Sequence, residues 1–151
     1  MSADMQNDPS TPVDVVVDAS IVVKWFVPEI HSEEARRFLT SRYCRHVPVL
    51  CHSEVGQTIW KKVYLKGEVP AEDGRQIVGA LKASVFEVHP IITLIEPAFE
   101  IALATGRTVY DSIYLALATA LDCKLVTADK KLFNSLRSGP FAKDILWVAD
   151  S

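Results

Sequence analysis

A chain of 151 residues, 49% of them hydrophobic, suits a single domain whose core needs no disulfides. Charged residues are 23% of it, which excludes a solvated acidic or basic tail as the bulk of the chain. Sixteen Lys and Arg against 19 Asp and Glu leave a net charge of -3, which excludes a protein that coats nucleic acid by charge alone.

Residues 1–12 are polar, contain two prolines and lack periodicity, so they are expected to be a disordered extension ahead of a domain spanning 13–151. Val13 to Asp18 then reads as a buried central strand, because a β-branched run suits a sheet covered on both faces. Ser20 to Phe26 is a short helix stopped by Pro28. Ser32 to Thr40 is a second, opening on a hydroxyl cap and two acids. His46 to Val49 is a strand, and Pro48 leads into a helix reaching about Leu65 before Gly67. Ala71 to Ala83 is a helix, Val85 to His89 a strand, and Glu96 to Thr105 a helix closed by Gly106. Thr108 to Leu121 carries Ile113, Leu117 and Leu121 on one helical face. Lys124 to Thr127 is a strand, Asp129 to Leu136 a helix, and Ile145 to Val148 the last strand. Strands alternating with helices predict an α/β fold with a parallel sheet covered on both faces.

Four acids occupy special places in that pattern. Asp18 closes the first strand and Asp129 follows the strand ending at Thr127, so both belong to the carboxyl edge of the sheet, where open α/β folds bind ligands. Asp111 lies three residues after Thr108 in the first turn of its helix, a variant of the capping box. Glu54 falls on the margin of the apolar stripe made by Cys51, Val55 and Ile59. Singly, each acid has an ordinary role as a helix cap or a solvated helix face. Gathered at one edge they would repel, and a divalent cation such as Mg2+ or Mn2+ is what carboxylate oxygens hold best.

The motifs Val15-Val16-Val17-Asp18-Ala19-Ser20, Ser53-Glu54-Val55, Tyr110-Asp111-Ser112 and Thr127-Ala128-Asp129-Lys130-Lys131-Leu132 resemble, in order and spacing, those of PIN-domain ribonucleases. The short length and the last two motifs are most similar to the VapC toxins of toxin–antitoxin pairs. The resemblance spans about Val13 to Val148; Asp122 stands where a glycine is common. It implies one PIN-like domain with about five parallel strands in the order 3-2-1-4-5. It also implies RNA as substrate, a homodimer and a cognate antitoxin partner. The expected activity is Mg2+- or Mn2+-dependent endoribonucleolytic hydrolysis at Asp18, Glu54, Asp111 and Asp129, leaving a 5′-phosphate and a 3′-hydroxyl. Ser20 and Thr127 are expected to orient the carboxylates with their hydroxyls. Lys24, Arg107, Lys130 and Lys131 lie near the motifs and are candidates for contacts to flanking phosphates. Trp25 and Phe26 are candidates for base stacking or a partner helix, and with Trp60 for lining a groove that receives the antitoxin tail; plain core packing is the alternative for each.

Other chemistries fit less well. His31, His46, His52 and His89 occur in unrelated contexts, so a metal-free acid–base pair is not expected. Cys44, His46, Cys51 and His52 match no familiar zinc spacing. Three cysteines without a Cys-x-x-Cys give no disulfide framework. The lack of a visible signal peptide or long apolar stretch leads to the expectation of a cytoplasmic protein without membrane contact. A phosphoacceptor domain would want an aspartate ending the third strand, where Val88-His89-Pro90 stands. A phosphatase of the Asp-x-Asp type would want an acid at Ser20. A PIN-like domain that binds RNA or protein without cutting it is the remaining alternative.

Overall fold

The structure, a computed structural model, describes residues 9–84 and 86–150. Residues 1–8 of the expected extension, Val85 at the start of the expected third strand, and Ser151 lie outside them. Five parallel strands form one sheet in the order β3-β2-β1-β4-β5. They are β1 Val13–Val17, β2 Tyr43–Pro48, β3 Glu87–His89, β4 Lys124–Thr127 and β5 Ile145–Trp147. The helices are α1 Ala19–Phe26, α2 Ser32–Arg36, α3 Leu50–Trp60, α4 Ala71–Ala80, α5 Ile95–Thr105, α6 Val109–Ala120 and α7 Lys130–Leu136.

β1 is the central strand because Val15, Val16 and Val17 point alternately to opposite faces and all three are buried. Only a sheet covered by helices on both sides can hide such a run. α6 packs against β1, β2 and β4, and its Ile113 to Ala118 are all buried. No helix among the described residues is long and apolar enough to cross a membrane.

The departures from expectation have local causes. β2 begins at Tyr43 rather than His46; the charged Arg45 hid its first half. The Arg45 guanidinium donates to the carbonyls of Phe38, Thr40 and Tyr43, holding the turn that precedes the strand. The second helix tightens into a 3₁₀ turn at Arg37–Leu39 instead of running to Thr40. Ser32 does not cap it: its hydroxyl donates to the Val27 carbonyl at 3.1 Å and accepts from the Glu29 amide at 2.8 Å. His31 takes the cap position in the left-handed region, with φ 69° and no capping side-chain bond.

The helix expected to run to Leu65 changes geometry instead. After Trp60 the chain widens into a π turn, Lys61–Leu65, closed by a Lys66 amide to Lys61 carbonyl bond of 3.0 Å. Such a turn inserts one residue into the helical register and re-aims the side chains that follow. Gly74 of α4 lets this turn pack closely, since a Cβ there would stand 2.8 Å from Val63 Cγ2.

Candidate active site

Parallel pairing sets Val17 beside Val126, so the chain leaves β1 and β4 side by side. Asp18 follows β1 directly and caps α1, accepting from the Ile21 amide at 3.3 Å. Its side chain is buried and both carboxylate oxygens receive hydroxyl hydrogens. Ser20 donates to Oδ1 and Thr127 to Oδ2. Those hydroxyls are themselves held by two successive amides of the β4–α7 loop: Ala128 N–H donates to Ser20 Oγ and Asp129 N–H to Thr127 Oγ1, both at 3.0 Å. The Asp18 carboxylate is thus clamped by relays from two strand ends.

Asp129 caps α7, accepting from the amides of Lys131 at 3.0 Å and Leu132 at 3.2 Å. Asp111 and Tyr114 stand one turn apart on α6. Tyr114 is buried, and its hydroxyl donates to Glu54 Oε1 on α3 at 2.6 Å. Asp18, Glu54, Asp111, Tyr114 and Asp129 line one cleft of about 430 Å³. The fold therefore brings together the four acids singled out in the sequence, with Ser20 at the same cleft.

The electrostatics of the cleft are unbalanced. Burial pushes the Asp18 carboxyl up to about 6, against the hydrogen bonds from Ser20, Thr127 and Ile21, and the charge of Asp129 adds to the rise. Glu54 is also raised, first by burial, then by Asp111, with the Tyr114 hydrogen bond opposing. Among the described residues, Asp18, Glu54 and Asp129 form no ion pair. Asp111 differs: Arg107 Nη2 lies 2.8 Å from its Oδ2, four residues back. Arg107 is thus occupied by an acid of the cleft rather than presented to a phosphate. An all-oxygen set of carboxylates, three of them without an ion-pair partner among the described residues, fits a hard divalent cation.

Four lysines also line the cleft, and sequence reasoning found only Lys24 among them. Lys61, Lys62 and Lys66 reach the cleft through the π turn. Lys62 is buried and bonded to Glu29 at 3.0 Å and Glu68 at 3.5 Å. Burial pulls its ammonium down, but the two glutamates outweigh this and leave it raised. Lys24 shares Glu29 at 3.8 Å. Lys61 and Lys66 are exposed and form no ion pair among the described residues. Lys130 and Lys131 are exposed but do not line the cleft.

Neither cysteine nor histidine offers a competing chemistry there. Cys51 is buried beneath the cleft and its thiol is pushed up to about 12 by burial, so it holds no thiolate at neutral pH. His52 meets the Phe86 ring edge-on and His31 the Trp147 ring; no histidine lines the cleft. Trp25 donates its Nε1 hydrogen to the Ala35 carbonyl and stacks on Phe86, so it is a packing residue, as is the part-buried Phe26. Trp60 is 45% exposed and stacks on Tyr64.

Comparison with known proteins agrees with this architecture. The PIN domain model matches residues 15–137. Ribonuclease VapC3 of Pyrobaculum aerophilum is 33% identical over 120 residues, covering 78% of this chain and 91% of that protein. Ribonuclease VapC1 of Mycobacterium tuberculosis is 34% identical over 118 residues, covering 78% of this chain and 86% of that one. The solved structure of PAE2754 from Pyrobaculum aerophilum superposes with a TM-score of 0.65 at 21% identity, covering 89% of this chain and 88% of that one, a likeness of fold. The chain belongs to the PIN-domain family, among its VapC ribonucleases.

Proposed function

We propose that this protein is a divalent-metal-dependent endoribonuclease, the toxin of a toxin–antitoxin pair, and that RNA is hydrolysed at the cleft of the four acids. The observation that carries the reading is a single cleft lined by Asp18, Glu54, Asp111 and Asp129 together with Lys24, Lys61, Lys62 and Lys66. Asp18, Asp111 and Asp129 would hold Mg2+ or Mn2+, with Glu54 completing the set or orienting the attacking water. When bound, the cation lowers the pKa of water and neutralises phosphate charge.

The chain's own groups do the rest. Ser20 and Thr127 keep the Asp18 carboxylate in one orientation, and Tyr114 does the same for Glu54. Lys61 and Lys66 receive the phosphates that flank the scissile bond, offsetting the acids' repulsion of the RNA backbone. Water attacks phosphorus in line with O3′, the P–O3′ bond breaks, and O3′ leaves as the 3′-hydroxyl while the phosphate stays on the 5′ side of the next nucleotide.

The same carboxylates suit a guanidinium from the antitoxin, whose planar fork bonds them bidentately. A homodimer is supported by an apolar stripe on α5: Ile95, Phe99 and Leu103 recur every four residues and are all more than 40% exposed.

Purified protein freed of any partner is expected to cut single-stranded RNA with magnesium or manganese and to stop in EDTA. Undiminished cutting in EDTA contradicts the metal requirement. Tight RNA binding with no cutting in either cation favours the binding-only alternative.

A further inference from the structure

A second set of metal-ligating side chains lies on the same sheet, toward the other ends of the strands. Asp14 is the second residue of β1 and Cys44 the second of β2, and the parallel register pairs them directly. His46 comes two residues later on β2 and so shares the face of Cys44. One ligand atom from each of Asp14, Cys44 and His46 lies within 4.8 Å of the other two. His46 Nε2 is 2.9 Å from Asp14 Oδ1, and its Nδ1 is 2.9 Å from His89 Nε2 on β3. Asp18 comes four positions after Asp14, about 13 Å along an extended strand. None of the three side chains lines the cleft.

We infer that Asp14, Cys44 and His46 form a zinc-class site, distinct from the four acids, that clasps β1 to β2. The donor set decides the metal. Thiolate and imidazole are ligands of zinc and its transition-metal neighbours, whereas magnesium takes oxygen. Three protein ligands leave one tetrahedral position for water, and the site faces solvent, since the Asp14 side chain is 56% exposed while that of His46 is 12% exposed.

His89 supplies the support that a ligating histidine needs. A proton on His46 Nδ1, donated to His89 Nε2, leaves the Nε2 lone pair for the metal. Without metal, His46 Nε2 carries the proton it shares with Asp14; binding moves that proton to Nδ1 by exchange with solvent, releases the Cys44 thiol proton to solvent, and frees both Nε2 and the Asp14 carboxylate to coordinate. The group weighed in the sequence does not assemble: Cys51 lies in the core and His52 against Phe86, while Asp14 joins Cys44 and His46 across the strands.

Cobalt(II) is the probe, because cobalt on a thiolate gives a charge-transfer absorption that cobalt on carboxylates does not. The untagged full-length protein is held in excess magnesium so that the acid cleft prefers oxygen-ligated magnesium, then titrated with cobalt. A charge-transfer band saturating near one equivalent is expected, lost in Cys44→Ser and displaced by zinc. Asp14→Asn and His46→Gln should each weaken cobalt binding at least about tenfold. Zinc should raise the melting temperature of the wild type and shift that of Cys44→Ser less. If Cys44→Ser does not fold, Asp14→Asn at an exposed position carries the comparison. No band up to millimolar cobalt overturns the site, as does a band unchanged in Cys44→Ser or His46→Gln.

Discussion

Asp18→Asn is expected to lower RNA cleavage at saturating magnesium by at least about a hundredfold while leaving the fold intact. Loss of a group that only orients a metal ligand costs about 10–100-fold, and loss of a charged ligand should exceed that. Asparagine keeps the shape of the side chain and one oxygen able to accept from Ser20 or Thr127, so the clamp is only half lost. What disappears is the negative charge. Tyr114→Phe is the matched control. It removes the 2.6 Å hydrogen bond to Glu54 but no charge from the cleft, and should cost about tenfold. Single-turnover cleavage and circular dichroism on the two variants make the comparison. Asp18→Asn retaining a tenth or more of wild-type activity would mean that Asp18 does not hold the metal.

The second large effect is on stability against pH in EDTA. Below about pH 4 Asp18 is protonated both folded and unfolded. Between 4 and 6 the unfolded chain has released the proton, while the native protein, with the carboxyl pushed up to about 6, still holds it. Stability from this group is therefore full at acid pH and is lost as pH rises through 6. The shift corresponds to roughly 3 kcal/mol as an upper bound, with Glu54 acting in the same direction. Urea midpoints for wild type and Asp18→Asn at pH 4 and pH 7 should show the wild type losing more stability than the variant across that interval. Manganese should restore the wild type at pH 7, by about 2.7 kcal/mol at a hundred times its Kd, and help the variant less. Parallel pH profiles for the two proteins would show that Asp18 is not the strained acid.

This locates the electrostatic cost more narrowly than acid crowding alone suggests. Asp111 has Arg107 at 2.8 Å, so its removal relieves little repulsion. Among the described residues Asp18 has only hydroxyls and an amide, which donate hydrogen bonds without carrying a full positive charge.

The acids were legible because their positions are set by local backbone events. Asp18 ends a β-branched run, Asp111 sits in the first turn of a helix and Asp129 caps one. The alternation of strands and helices made the parallel sheet legible too, whereas the strand order came through family resemblance. What escaped depends on register or on a break in it. The lysine lining arises because the π turn after Trp60 adds a residue that no 3.6-residue periodicity anticipates. The cluster of Asp14, Cys44 and His46 exists only once β1 and β2 are paired in register. Arg107 looked available for phosphate because a four-residue spacing to Asp111 does not reveal whether the pair closes.

The ends of the cut RNA test the central claim most directly. Wild-type protein in magnesium, with an Asp18→Asn preparation as the control for contaminating nucleases, should leave 5′-phosphate and 3′-hydroxyl ends, because water attacks phosphorus and O3′ departs. Products ending in 2′,3′-cyclic phosphate would mean that the RNA's own 2′-hydroxyl attacked, and would contradict water-based hydrolysis at the acidic cleft.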